Sequence, residues 1–260
     1  MADRVAELVR TEITEDALLL VIERPPANPL ALDLVAALEA ALDVADREAG
    51  NRIVIVRSAL PGFFVAGADI KHMVELDEAG FRAYGDSLRS AFDRLAAPER
   101  ISIAAVDGLA LGGGCELAMA CTLRVAGPDA RFGLPEVKIG LLPGAGGTQR
   151  LPALVGRGRA LEMMLTGRQV DAAEAHAIGL VDRLAPGDAT VTALELAREL
   201  RANSRVALES LVRSVDAGGI ASAAAGHRVA ADEVTELFAR GDAQEGLQAF
   251  LERREPRFGR

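Results

Sequence analysis

Strand and helix patterns alternate along this chain as far as residue 184, and beyond that only helical spacing remains. Such an order restricts the fold to an α/β core followed by a helical appendage. Ala17–Ile22 (ALLLVI) reads as a buried strand closed by Arg24-Pro25-Pro26, and 53–57 (IVIVR) and 101–106 (ISIAAV) read as two more. Apolar residues recur at helical intervals over 32–46 (Leu34, Leu38, Ala41, Leu42, Ala45), and Glu78–Leu95 reads as a polar-faced helix. A further strand is expected at Leu123–Ala126, a loop over 63–69, and an irregular stretch over 133–147 that holds two prolines and five glycines. Helices are then expected over 158–166, 171–178, 190–203, 205–216, 221–239 and 244–253. With no repeat and no linker in view, 1–190 reads as one core and 191–260 as a C-terminal helical segment.

Composition removes several classes of function. Aromatics are 3% of the 260 residues, with no Trp, so an aliphatic core is expected, and the shortage argues against stacking platforms for single-stranded nucleic acid. Lys and Arg number 29 against 38 Asp and Glu, and the net charge of −9 repels phosphate backbones. An anionic ligand must therefore meet a local cation or backbone N–H groups. Two cysteines six positions apart (Cys115, Cys121) and three histidines give neither a disulfide framework nor a metal spacing, which leads us to expect a cytoplasmic protein without a metal. The apolar run 101–121 is broken by Asp107, four glycines and Glu116, so no membrane span is expected, and the charged first residues do not resemble a secretory signal. Gly-x-Gly-x-x-Gly, the phosphate-loop pattern and Gly-x-Ser-x-Gly are all absent.

Three segments carry chemistry. In Phe64-Val65-Ala66-Gly67-Ala68-Asp69-Ile70-Lys71, small residues leave the backbone open to a ligand and a cation follows at once; a plain turn between strand and helix has the same composition. Leu111-Gly112-Gly113-Gly114-Cys115-Glu116 places unpaired N–H donors at the positive end of a helix, with Glu116 in its first turn. There Glu116 serves either the dipole or a reaction. In Leu134-Pro135-Glu136-Val137-Lys138, apolar neighbours surround Glu136, a setting that raises a carboxyl pKa toward neutrality; a surface loop is the alternative. Taken together, two carboxylates and two sources of N–H groups are the equipment for stabilising an enolate.

These residues resemble the enoyl-CoA hydratase/isomerase (crotonase) family. Ala66-Gly67-Ala68-Asp69-Ile70-Lys71, the run from Gly108 to Ala118, and the run from Phe132 through Gly144-Ala145-Gly146-Gly147-Thr148-Gln149-Arg150-Leu151 occur in family order, and the likeness extends from Arg24 to Arg254. The resemblance implies a crotonase-like spiral of ββα units, with C-terminal helices that build trimers or hexamers. It implies that the N–H groups of Ala68 and Gly113 form an oxyanion hole. Glu116 then activates a water, Glu136 protonates Cα, and the Gly144 N–H lies near the water. Ala66, Ala68, Asp69, Ile70 and Lys71 would meet the CoA part of an acyl-CoA thioester, and Arg253 its phosphates. No cofactor is implied, since CoA arrives with the substrate, and nucleic acid and membrane are not expected as partners. The presence of both glutamates favours hydration over 3-enoyl-CoA isomerisation or a non-catalytic CoA-ester- or RNA-binding role. Acyl-pocket residues are expected from 73–84 and from Leu141-Leu142. Two departures from the family pattern stand out: Asn28-Pro29-Leu30 for the commoner Asn-Ala-Leu, and Arg253 where Lys is common.

Overall fold

A computed structural model describes residues 8–48, 50, 53–216, 235, 238, 239 and 242–256. The chain opens with strands β1 (Val9–Ile13) and β2 (Ala17–Ile22), then helix α1 (Leu32–Glu48). Strands β3 (Ile53–Ser58) and β4 (Phe63–Val65) lead to a single turn α2 (Ile70–Met73) and the long α3 (Glu78–Leu95). The next turn of the chain comprises β5 (Ser102–Val106), β6 (Leu109–Leu111) and α4 (Gly113–Ala120). It is followed by β7 (Leu123–Ala126), β8 (Arg131–Gly133), a 3₁₀ turn (Glu136–Ile139), α5 (Gly147–Val155) and α6 (Arg157–Thr166). After β9 (Gln169–Asp171), α7 (Ala172–Ala177) and β10 (Arg183–Leu184), the chain is helical in α8 (Ala189–Arg201), α9 (205–216) and α10 (Asp242–Glu252).

From β3 to β8 each successive strand pair divides between two sheets: the first strand joins a six-stranded sheet of order β1-β2-β3-β5-β7-β10, and the second a four-stranded sheet β4-β6-β8-β9. Strands β1 and β2 both belong to the large sheet, and β9 and β10 divide in the reverse order. Within the large sheet only the β1–β2 pair is antiparallel. This is the ββα spiral expected above. Strand period explains how it is covered: Leu18, Leu20, Ile22, Val54, Val56 and Val106 enter the main core, and the alternate residues Leu19, Val21, Ile55, Ile103 and Val125 meet α8 on the other face. Helix α8 spans the expected boundary at 190/191 and presents Ala189, Ala193, Leu196 and Ala197 to the sheet, at helical spacing. Helix α3 starts on the Asp77 side chain, which accepts from Gly80 N at 2.8 Å, and buries Phe81, Tyr84, Leu88 and Phe92.

The short elements depart from what the sequence pattern predicts. Strand β4 stands where a loop is expected, and β1, β6, β8 and β9 were not anticipated. Three residues are too few to display a period, and β1 is only partly buried. Helix α5 runs through Pro152 and was likewise unforeseen. The helix expected over 221–239 lies outside the described residues except for 235, 238 and 239.

Glycine is required where α4 begins. Gly112, at φ 52° and ψ −126°, turns the chain out of β6, and its N–H donates to Gly133 O at 2.9 Å. A Cβ on Gly114 would lie 1.9 Å from the Val65 carbonyl oxygen, a backbone atom that cannot swing away. Gly114→Ala is therefore expected to cost about 3 kcal/mol or more, measured as a lowered midpoint in urea unfolding; a loss under ~1 kcal/mol contradicts this packing.

Candidate active site

Strand β4, helix α4, the 3₁₀ turn and helix α3 all deliver residues to one cavity of about 270 Å³. Its wall is largely apolar: Ile70, Met73, Phe81, Tyr84, Leu88, Leu141 and Leu142, with Phe250 reaching in from α10. On one side Ala66, Gly67 and Ala68 follow β4; on the other Gly112 and Gly113 open α4. A Cβ on Gly113 would lie 3.9 Å from Ala68 N and 4.0 Å from Glu116 Oε2, so these groups converge. Among the described residues the N–H groups of Ala68 and Gly113 donate to no other group. Gly113 owes this to its place at the helix start, where N–H groups have no intrahelical acceptor.

The loop carrying Ala68 is tied down from behind. Leu30 N donates to Gly67 O at 2.8 Å, and Asp69 N donates to Leu30 O at 3.1 Å. The buried Tyr84 hydroxyl donates to the same Leu30 carbonyl, and burial pushes its pKa well up. Asn28 fastens the preceding turn. It is fully buried at φ 55°, accepts from Arg24 N at 2.6 Å, and donates to Ser58 Oγ and Phe64 O at 2.8 Å each. Sequence alone shows Asn28-Pro29 as ordinary turn chemistry.

Two carboxylates face the cavity in unequal surroundings. Glu116 is 3% exposed, and its Oε1 accepts from Ala145 N and Gly147 N at 2.8 Å each. Burial raises its pKa, against which those two N–H groups and then Arg150 and Arg89 favour the anion. Glu136 has only its own backbone N–H in support. As a residue it is half-buried, yet its Oε2 is covered and lacks a hydrogen-bond partner. Burial first, and the Glu116 charge second, raise its pKa well above the carboxylate range. The pair thus separates into Glu116, the better-stabilised anion, and Glu136, the better proton holder.

The other expected residues fall on both sides of the cavity's edge. Ala66, Ala68, Ile70, Gly113, Glu116, Glu136 and Gly144 line it. Asp69 does not; its carboxylate caps α2, accepting from Lys71 N and His72 N, and pairs with Arg24 at 3.2 Å. Lys71 is exposed on α2 outside the wall, and Arg253 is exposed just past α10, at φ 56°. Helix α10 packs so closely on the 3₁₀ turn of its own chain that a Cβ on Gly246 would lie 2.4 Å from Ile139 O. Sequence reasoning missed Arg89, Lys138 and Phe250 on the wall, whereas Arg82 lies within the expected stretch 73–84. For Arg89 no signal was available, because its acceptor is a backbone carbonyl 55 positions away.

Residues 12–260 match the sequence profile of the enoyl-CoA hydratase/isomerase family. The chain belongs to that family. It is 41% identical over 247 residues to 2,3-dehydroadipyl-CoA hydratase of Escherichia coli (strain K12), covering 93% of this chain and 94% of that protein. It is 37% identical over 235 residues to short-chain-enoyl-CoA hydratase of Clostridium acetobutylicum, covering 90% of each. The crystal structure of an enoyl-CoA hydratase from Mycobacterium avium subsp. paratuberculosis K-10 superposes with a TM-score of 0.86 at 26% identity, over 97% of this chain and 99% of that one.

A carboxyl whose pKa is raised by folding binds its proton more tightly in the native state. Its contribution is therefore most favourable below the ordinary carboxylate pKa and is lost as pH rises through the raised value. Glu136→Gln keeps the shape and removes the charge. At about pH 8 the variant is expected to exceed wild type by roughly 1 kcal/mol, ~2–4 °C in Tm, and to lose that advantage near pH 4. Calorimetry across this range checks it; a variant no more stable at the alkaline end contradicts it.

Proposed function

We propose that the protein adds water reversibly across the double bond of a trans-2-enoyl-CoA thioester to give the 3-hydroxyacyl-CoA. The observation that carries this reading is the pair of unequally held glutamates facing two free amide donors across one apolar cavity. The thioester oxygen accepts from Ala68 N and Gly113 N, which favours the enolate over the ground state. Water oxygen bonds to Cβ while its proton passes to Glu116, beside the Gly144 N–H. The π electrons move to the thioester oxygen, and the enolate then takes the Glu136 proton at Cα. Loss of the proton on Glu116 and uptake of one at Glu136 restore the site. Water, carboxylates and amides suffice for these steps, so the reaction as proposed calls for no redox or metal group.

The apolar wall receives the acyl chain. CoA phosphates lie outside it, where Lys71 supplies positive charge to an acidic protein. We extend the reading to assembly as a homotrimer or a pair of trimers, which the exposed Val206, Leu211 and Val215 of α9 support. A cytoplasmic setting suits the two free, buried cysteines, and among the described residues no helix is long and apolar enough to cross a membrane.

Decay of the conjugated-enoyl absorbance of crotonyl-CoA tests the reaction. Wild type is expected to turn over, and Glu116→Gln and Glu136→Gln each to lose ~10²–10⁴ in kcat. Conversion of a 3-enoyl-CoA that needs Glu136 alone, without crotonyl-CoA decay, would make the protein an isomerase. Lys71→Ala is expected to raise KM ~3–10-fold with kcat unchanged, a loss of about 1 kcal/mol in binding; an unchanged KM removes Lys71 from the CoA contact.

A further inference from the structure

Two arginines grip the loop that presents its N–H groups to Glu116. From α3, Arg89 Nη1 donates to the Gly144 carbonyl at 2.8 Å, and its Nη2 is paired with Asp86. From α5, Arg150 Nη1 donates to the Ala145 carbonyl at 2.9 Å, and its Nη2 donates to Asp93 at 2.7 Å. Both side chains are well covered, at 13% and 15% exposure. The carbonyl held by Arg89 belongs to the same peptide group as the Ala145 N–H, which donates to Glu116 Oε1 at 2.8 Å. A cation on the oxygen end of a peptide strengthens the donor at its nitrogen end. The path therefore runs from guanidinium through one planar, fixed peptide to the carboxylate.

We propose that Arg89 and Arg150 are positioning residues for Glu116, clamping successive carbonyls of the 144–147 loop so that its N–H groups stay aimed at Oε1. The clamp holds Glu116 anionic and in one orientation without touching it. It rests on the hydratase reading for its catalytic consequence, though not for its structural one. The groups facing Glu116 make the need plain. Glu136 on the 3₁₀ turn, Tyr84 from α3 and Cys115 on its own helix all have their pKa raised, burial first, and offer it no positive charge. Arg89 and Arg150 are the cations that oppose burial there.

Sign follows directly. Taking away a cation that favours the anion raises the Glu116 pKa, so any step that needs the carboxylate fails at a higher pH. Side-chain ¹³Cδ NMR of glutamate-labelled protein, with Glu116→Gln for assignment, reads this titration without reference to turnover. Arg89→Met and Arg150→Met are each expected to move the Glu116 midpoint up by about one pH unit or more, and Arg89→Lys by much less, since the ammonium still donates to Gly144 O. The acid limb of kcat for crotonyl-CoA is expected to move with the midpoint. An unchanged midpoint in either methionine variant, with amide spectra like wild type, overturns the clamp. Wild type without turnover, combined with a shifted midpoint, sinks the hydratase reading and leaves the clamp standing.

Discussion

The distance between the start of α4 and the end of β4 governs the rest of the site. Val65 O comes so close to Gly114 that no side chain fits between them, and Leu30 fills the neighbouring space against Gly113. That approach brings an unpaired helix-start N–H alongside a strand-end N–H, two donors from different elements aimed at one volume. The Leu30–Ala68 bridge and the Tyr84 hydroxyl then prevent the second donor from drifting. Donors fixed in advance need no reorganisation when charge develops opposite them, which is why rigid backbone suits this task better than mobile side chains.

Electrostatic inequality is the second organising element. Two glutamates share one buried, apolar volume, and neither is ordinary there. What separates them is the start of helix α5: its first N–H, on Gly147, and the Ala145 N–H two residues earlier are aimed at Glu116, whereas Glu136 Oε2 has no hydrogen-bond partner. An unsatisfied buried carboxylate oxygen is costly to stability. Its presence on a residue of the cavity wall is the kind of local inconsistency that accompanies function.

Much of this was legible in the residues. The apolar runs of β2, β3 and β5 and the helical spacing of α3 identify long elements whose period repeats several times. The Gly-rich and Pro-Glu segments pointed to the cavity because glycine density and an apolar-flanked carboxylate leave traces in local sequence. Three-residue strands leave none, and neither do contacts made by backbone. Arg89 carries no local mark, because its acceptor is a main-chain carbonyl contributed by a distant loop. Asn28 shows the opposite failure: its type announced a turn, and burial converted that turn into a three-way hydrogen-bonded tie. Asp69 and Lys71 sit in a telling motif, yet the motif spans both a wall (Ala66, Ala68, Ile70) and its outer support.

Helix α10 rests against the backbone at Ile139 through Gly246 and sets the exposed Phe250 on the wall of the cavity reached by Glu116 from the middle of the chain. The sheets and their inner helices can assemble while the chain is still being made, because β1 through α8 contact one another without it. The cavity wall cannot: its Phe250 side exists only once α10 has docked, so the wall depends on a segment that the sheets do not need.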